Sequence, residues 1–265
     1  MLLLGDDSSG KTRLLTAIAE LIAVPPKSAR TTTLAKGQVS VGGVDVIKWD
    51  RAQLKRKVGI FLNDVRSFAD FAQLSSGLTL GEILTPIQSN GKSTQHAVDF
   101  AVQLSGISSS LLPRLGESKL QTYVTANEDQ ISPSPLRPDL QLMSSSEWSK
   151  VILAKVLSQA IFTNDNPMAS PDTVAKCLVG SVLFLDDVTA YMSEIEEARV
   201  IKSLRRSGAA TIITSNRWAI GRFASRIAVI ANGKICEIGT HSELIAKGAN
   251  NSLYALRWDQ MTAGT

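Results

Sequence analysis

The period of the apolar positions changes along this chain. Met1-Leu2-Leu3-Leu4 is a short continuous apolar run, the pattern of a strand buried on both faces. Over residues 11–22 the apolar side chains fall at Leu14, Leu15, Ile18, Leu21 and Ile22, which predicts a helix with one buried stripe. Pro25-Pro26 breaks that helix and opens a polar loop. Residues 37–46 alternate apolar and polar around Gly42-Gly43, a hairpin pattern. A short helix with a basic face is predicted over 50–57 and a buried strand over 58–62.

From about residue 67 to 160 the chain is serine-rich and strand-poor, which predicts a mostly helical arm. Pro133, Pro135 and Pro138 interrupt it with a loop. Its last helix, over 146–160, gathers Val151, Leu153, Ala154, Val156 and Leu157 on one side. A polar insertion over 163–172 reads as an exposed loop. Strands are predicted at 182–185, 210–214 and 227–230, with a helix over 193–204 between the first two. A last hairpin around Asn232-Gly233 leads into a C-terminal helical segment.

Short apolar strands alternating with helices predict an α/β fold. Its sheet is mainly parallel and flanked by helices, with a small antiparallel β portion and a helical subdomain. One domain over 1–265 is expected, with its sheet core in about 1–66 and 178–265 and its helical subdomain in about 67–160.

Composition narrows this little. With 265 residues, 44% hydrophobic and 20% charged, the chain can bury an ordinary globular core. No apolar run approaches the ~18 residues that span a bilayer. No basic stretch followed by a long apolar one marks a secretory signal at the N-terminus. Cys177 and Cys236 lie far apart, which suits a reducing compartment, and neither they nor His96 and His241 have metal-ligand spacing. The net charge of +4 reads as solvated surface, because no aromatic platform accompanies the basic cluster over 51–57 or Arg205-Arg206. Nucleic acid is therefore not an expected partner.

The chemistry is concentrated in Gly5-Asp6-Asp7-Ser8-Ser9-Gly10-Lys11-Thr12. This stretch fits G-x-x-x-x-G-K-[ST], the phosphate-binding loop of nucleotide-hydrolysing proteins. Its glycines let the backbone wrap around a phosphate, Lys11 can reach the β/γ-phosphates, and the Thr12 hydroxyl can hold Mg²⁺. A glycine-rich turn before a helix can also be a plain connector. Here strand, loop, Lys-Thr and helix stand in the order a phosphate site needs, with the helix dipole aimed at the anion. A magnesium-nucleotide site also needs a carboxylate at a strand's C-terminal end, and hydrolysis needs a group to orient the attacking water. Asp186 and Asp187, following the apolar run 182–185, supply both, and Asp186 is expected next to Thr12 at the carboxyl edge of neighbouring parallel strands.

Together these segments resemble the nucleotide-binding domain of an ATP-binding-cassette (ABC) transporter, most closely the exporters. The resemblance runs from Gly5 to about Trp258. Gly5 to Thr12 is similar to the Walker A loop, and Val182 to Asp187 to Walker B. Residues 43–46 and 54–59 are similar to the stretch leading to the Q-loop, and residues 233–244 to the family's closing hairpin and helix. The resemblance implies ATP and Mg²⁺ as cofactors, with Thr12 and Asp186 on the metal. It also implies a second nucleotide-binding domain in a head-to-tail dimer. A transmembrane domain or membrane subunit would hold the chain to the cytoplasmic face of a membrane. The family's opening strands and adenine-stacking aromatic are absent upstream of Met1. On that ground the chain reads as N-terminally truncated: a fragment, a subunit paired with a membrane protein, or an incomplete gene model.

Several family positions are altered. The Q-loop glutamine falls on Asn63, the Walker B glutamate on Asp187 and the switch histidine on Asn216. The signature Leu-Ser-Gly-Gly-Gln falls on Met143-Ser144-Ser145-Ser146-Glu147, with Ser144 and Ser145 at the nucleotide-facing positions, and the stretch is expected at a helix N-terminus, exposed for a partner. Aspartate is one methylene shorter than glutamate, and a misplacement of ~1 Å can cost ~10²-fold in rate. Asn216 cannot take up a proton. Glu147 would bring a negative charge toward a polyanion, at ~3 kcal/mol for unit charges ~5 Å apart at an effective dielectric of ~20. Binding is expected to survive these changes better than turnover. Three readings follow: a transport-coupled ATP-binding domain with slow hydrolysis, a non-catalytic nucleotide-sensing clamp, or a soluble phosphoryl-transfer enzyme. The match over 233–244 argues against the third.

Overall fold

The computed structural model describes residues 1–23, 38–62, 65–87, 94–126, 140–163 and 176–263, without the side chains of 65–69. Asn63, Pro25-Pro26, the proline-rich break at 133–138 and most of the polar insertion fall outside the described residues.

In chain order the first elements are β1 (Leu2–Leu4), α1 (Lys11–Ala23), β2 (Ser40–Val41), β3 (Val44–Asp45), α2 (Arg51–Lys57) and β4 (Val58–Phe61). Next come α3 (Val65–Ser75), β5 (Leu78–Thr79), α4 (Leu80–Leu84), α5 (Gln95–Leu104), α6 (Ile107–Ser110), β6 (Tyr123–Thr125), β7 (Gln141–Leu142) and α7 (Ser145–Thr163). The chain closes with β8 (Val182–Leu185), α8 (Glu194–Ser207), β9 (Ala210–Ser215), β10 (Ile227–Ala231), β11 (Lys234–Gly239), α9 (His241–Ala246) and α10 (Leu253–Ala263). These form two compact units. One comprises 1–62, 181–187 and 210–265, the other 63–180 and 188–209.

The first unit is built on a six-stranded sheet in the order β11-β10-β1-β9-β8-β4. Every pairing is parallel except β10 with β11. The interior position of β1, between β10 and β9, explains its uninterrupted apolar text: Leu2, Leu3 and Leu4 are all buried, as a strand covered on both faces requires. On one face the α1 stripe, Leu15 and Ile22, packs with Leu3, Phe184, Ala228 and Ile230. Burying Leu15 removes apolar surface worth roughly 2 kcal/mol from water. This packing fixes where α1 begins. The loop before it emerges at the carboxyl edge of the sheet, where open α/β folds bind ligands.

The expected hairpin is β2–β3, closed by Gly42 and Gly43 with φ of 60° and 79°, the left-handed pair a tight two-residue turn requires. Asp50 caps α2, its carboxylate accepting the Gln53 N–H at 3.0 Å.

The second unit is mostly helical, and α7 is its longest described helix. The strand-poor reading of 67–160 needs one addition: β5, β6 and β7 form a small sheet, antiparallel between the first two and parallel between the last two. Strands of two or three residues leave no readable alternation in a sequence. Lys150, almost wholly buried on α7, donates to Glu196 of α8 and, at 3.0 Å, to the Ser110 hydroxyl. Burial alone would push the Glu196 carboxyl up. Hydrogen bonds from Lys150 and from the Ser193 cap outweigh it and bring the carboxyl down to about 2.

Candidate nucleotide-binding site

Gly5 ends β1 in a place too tight for any side chain: a Cβ there would collide with the Ile230 carbonyl and the Ser9 hydroxyl. Ser8 and Gly10 follow with φ of 63° and 107°. Left-handed residues in a tight turn make the concavities of backbone N–H groups that bind anions. The β10–β11 turn, Asn232-Gly233, braces the loop from beneath, with the Gly233 N–H donating to the Ser9 carbonyl at 3.0 Å. Lys11 opens α1 and folds back, its ammonium donating to the carbonyls of Gly5 at 2.7 Å and Asp6 at 3.0 Å. Thr12 is exposed beside it. The loop from Asp7 to Thr12, with Thr16, Glu20, Asp187 and Thr214, lines a cavity of about 600 Å³, large enough for a nucleotide.

Asp186 follows β8 at the same edge of the sheet and is fully buried. Its N–H donates to the Phe61 carbonyl at 2.8 Å. Its Oδ1 accepts the Thr214 hydroxyl at 2.8 Å, and that hydroxyl accepts the Asp187 N–H at 2.7 Å. The second oxygen, Oδ2, is buried with no hydrogen-bond partner. A bare buried carboxylate oxygen is costly unless a cation or its water shell takes it up. Among the described residues no three His, Cys, Asp or Glu side chains cluster as a metal cage. The Asp186 carboxylate with the Thr12 hydroxyl would suit Mg²⁺, which takes few protein ligands and the rest from phosphates and water.

One placement differs from expectation. The strand carrying Asp186 is not the neighbour of β1, because β9 lies between them. The sequence gives strand order no local signal. Asp187 is half-buried at a φ of 48° and lines the cavity. Burial raises its carboxyl pKa, Asp186 and Asp7 raise it further, and Lys11 and Arg217 oppose them. Asn216 is exposed after β9 and donates to the Asp7 carboxylate at 3.2 Å.

In the second unit, Met143–Glu147 stands at the start of α7, but it is not exposed throughout as expected. Met143 turns inward and is buried, while Ser144 and Ser145 face solvent. Glu147 is not a free charge. Its carboxylate accepts the Ser144 N–H at 2.8 Å and hydroxyl at 3.0 Å in a capping box, and its other oxygen pairs with Arg114 at 2.6 Å. The repulsion expected from it is correspondingly offset.

No family model matches this chain. It is 25% identical over 219 residues to the lactococcin transport/processing ATP-binding protein LcnC-like of Lactococcus lactis, an alignment covering 83% of this chain and 24% of that one. It is 24% identical over 250 residues to the mitochondrial iron-sulfur clusters transporter ATM1 of Candida glabrata, covering 89% of this chain and 28% of the other. A structure of a bacterial Atm1-family ABC exporter with ATP bound superposes with a TM-score of 0.59 at 19% identity, over 98% of this chain and 36% of that chain. The chain is similar to the nucleotide-binding domain of an ABC exporter. It spans about a quarter of the length of these curated relatives.

The exporter-like domain thus brings Gly5 to Thr12, Asp187 and Asn216 together in one unit, with Asp186 at the same sheet edge. Two residues escaped the sequence reading. Thr214 orients Asp186 and contacts Asp187, and its only signal was a hydroxyl at the end of an apolar strand. Arg257, on α10, pairs with Asp6 of the loop, and no motif points to it.

Proposed function

We propose that this chain binds Mg-ATP through Gly5 to Thr12 as the nucleotide-binding domain of an ABC exporter, and that it hydrolyses ATP slowly. The bare, buried Asp186 Oδ2 carries the proposal, because such an oxygen is a candidate metal ligand and the next residue, Asp187, lines the same cavity as the phosphate loop. When bound, Mg²⁺ neutralises the developing phosphate charge. The loop backbone and Lys11 hold the phosphates, and Thr12 and Asp186 hold the metal. Asp187 is the group available to orient a water, from a shorter side chain than the family's glutamate. Asn216 supplies amide hydrogen bonds in place of an imidazole.

In this reading two domains pair head-to-tail. Ser144 and Ser145 of one then face the phosphates on the other, and a membrane domain on a partner or elsewhere in the protein converts closure into transport. The altered positions Asp187 and Asn216 favour a second reading, a nucleotide-dependent clamp without turnover. Phosphate release separates the two. Slow release abolished by Lys11→Ala supports the first, and Mg-ATP binding with no release above the Lys11→Ala variant supports the second. If Asp187→Glu with Asn216→His raises turnover at unchanged affinity, geometry is the defect. Robust wild-type hydrolysis that the double substitution leaves unchanged would refute the slow-site reading.

A further inference from the structure

The phosphate loop carries two adjacent acids: Asp7 lines the cavity, and Asp6 precedes it in the loop. Unopposed, both would add negative charge to the field a polyanion meets at the loop. Asp7 is held by the Asn216 amide. Asp6 is met by Arg257, which lies 251 residues away in sequence. Arg257 is carried by a helix that several contacts tie down. Glu237 of β11 holds the start of α10, accepting the Ser252 hydroxyl at 2.6 Å and the Leu253 N–H. Tyr254 is fully buried, shares a 2.8 Å hydrogen bond with His241, and packs on Trp258 and Trp218. The Arg257 guanidinium lies 5.9 Å from the centre of the Trp218 ring, and its Nε is buried without a partner. The Arg257 side chain, 38% exposed, lies between the Trp218 ring and the Asp6 carboxylate, itself 56% exposed.

Given the nucleotide site proposed above, we infer that Arg257 is a positioning residue of that site. It neutralises Asp6 and so sets the affinity of the phosphate loop for nucleotide in proportion to the charge on the ligand. The C-terminal helix thereby becomes part of the nucleotide site without touching the reacting atoms. A merely structural Arg257 would affect all ligands equally.

The test is equilibrium binding of Mg-ATP, ADP and AMP to the full chain at low and physiological salt, for the wild type, Arg257→Gln, Asp6→Asn and the double variant. Removing the cation leaves one uncompensated charge near the phosphates, so Arg257→Gln should weaken Mg-ATP binding roughly three- to tenfold. The loss should be smallest for AMP and should shrink with added salt. In the Asp6→Asn background the same substitution should cost less than about twofold, since the charge it neutralises is gone. An unchanged Arg257→Gln would overturn the inference. So would a penalty that persists undiminished without Asp6, which would mean Arg257 meets the phosphates itself. If Arg257→Gln does not fold, Arg257→Lys carries the test: it keeps the charge and should bind within about twofold, and a tenfold loss contradicts the inference. No Mg-ATP binding by the folded wild-type chain would overturn the site itself, and this inference with it.

Discussion

The Thr214 hydroxyl donates to the Asp186 carboxylate at 2.8 Å across 28 residues of chain. The same oxygen accepts the Asp187 N–H, so one side chain on β9 holds the Asp186 carboxylate and the Asp187 backbone together. Without it, a buried carboxylate and a backbone N–H each lose a partner. Thr214→Val is therefore expected to destabilise the fold by about 1–3 kcal/mol. It should also weaken Mg-dependent nucleotide binding about tenfold, with Mg-free binding little changed. Thr214→Ser, which keeps the hydroxyl, should restore both. Calorimetric unfolding and nucleotide titrations with and without Mg²⁺ check this.

Gly5 offers a steric test. Its Cβ space is already taken by the Ile230 carbonyl and the Ser9 hydroxyl, so backbone must move to admit a methyl group. Gly5→Ala should cost about 1–3 kcal/mol in stability. It should lower nucleotide affinity by more than that loss of folded protein accounts for, because the loop itself is displaced. Wild-type affinity in Gly5→Ala would show that this contact does not shape the loop.

The Lys150–Glu196 pair sets an acid limb. The Glu196 carboxyl sits at about 2, below its ordinary 4.5, so it stabilises the fold above about pH 4.5. That stabilisation is lost as pH falls from 4.5 toward 2, when protonation leaves Lys150 buried without its anion. Glu196→Gln should cost about 2–3 kcal/mol at neutral pH, discounted for the partial exposure of the glutamate. The gap in melting temperature between wild type and variant should close as the pH approaches 2. A gap independent of pH would contradict the pairing.

How much of this was legible depends on the range of the interaction concerned. The loop, its strand and its helix are local, so glycine spacing, the leucine run and the α1 stripe announced them. The place of Asp186 at the end of β8 was legible because an apolar strand followed by acids is a local pattern too. The insertion of β9 between β1 and β8 was not, since strand order is decided by packing among distant segments. The same holds for Thr214 and Arg257, whose partners lie 28 and 251 residues away. Glu147 shows the opposite case. Ser144-Ser145-Ser146-Glu147 is a capping-box pattern, yet alignment with a signature motif drew it as a free charge.

The central claim is that Gly5 to Thr12 and Asp186 form one Mg-nucleotide site. Its most direct test is an equilibrium titration of the folded chain with a fluorescent ATP analogue, with and without Mg²⁺. Wild type, Lys11→Ala and Asp186→Asn are compared, with folding of each verified by circular dichroism. We expect saturable, Mg-dependent binding by the wild type, loss of at least tenfold in Lys11→Ala, and loss of the Mg²⁺ dependence in Asp186→Asn. Folded wild-type protein showing no saturable binding, or binding that neither substitution alters, would contradict the account.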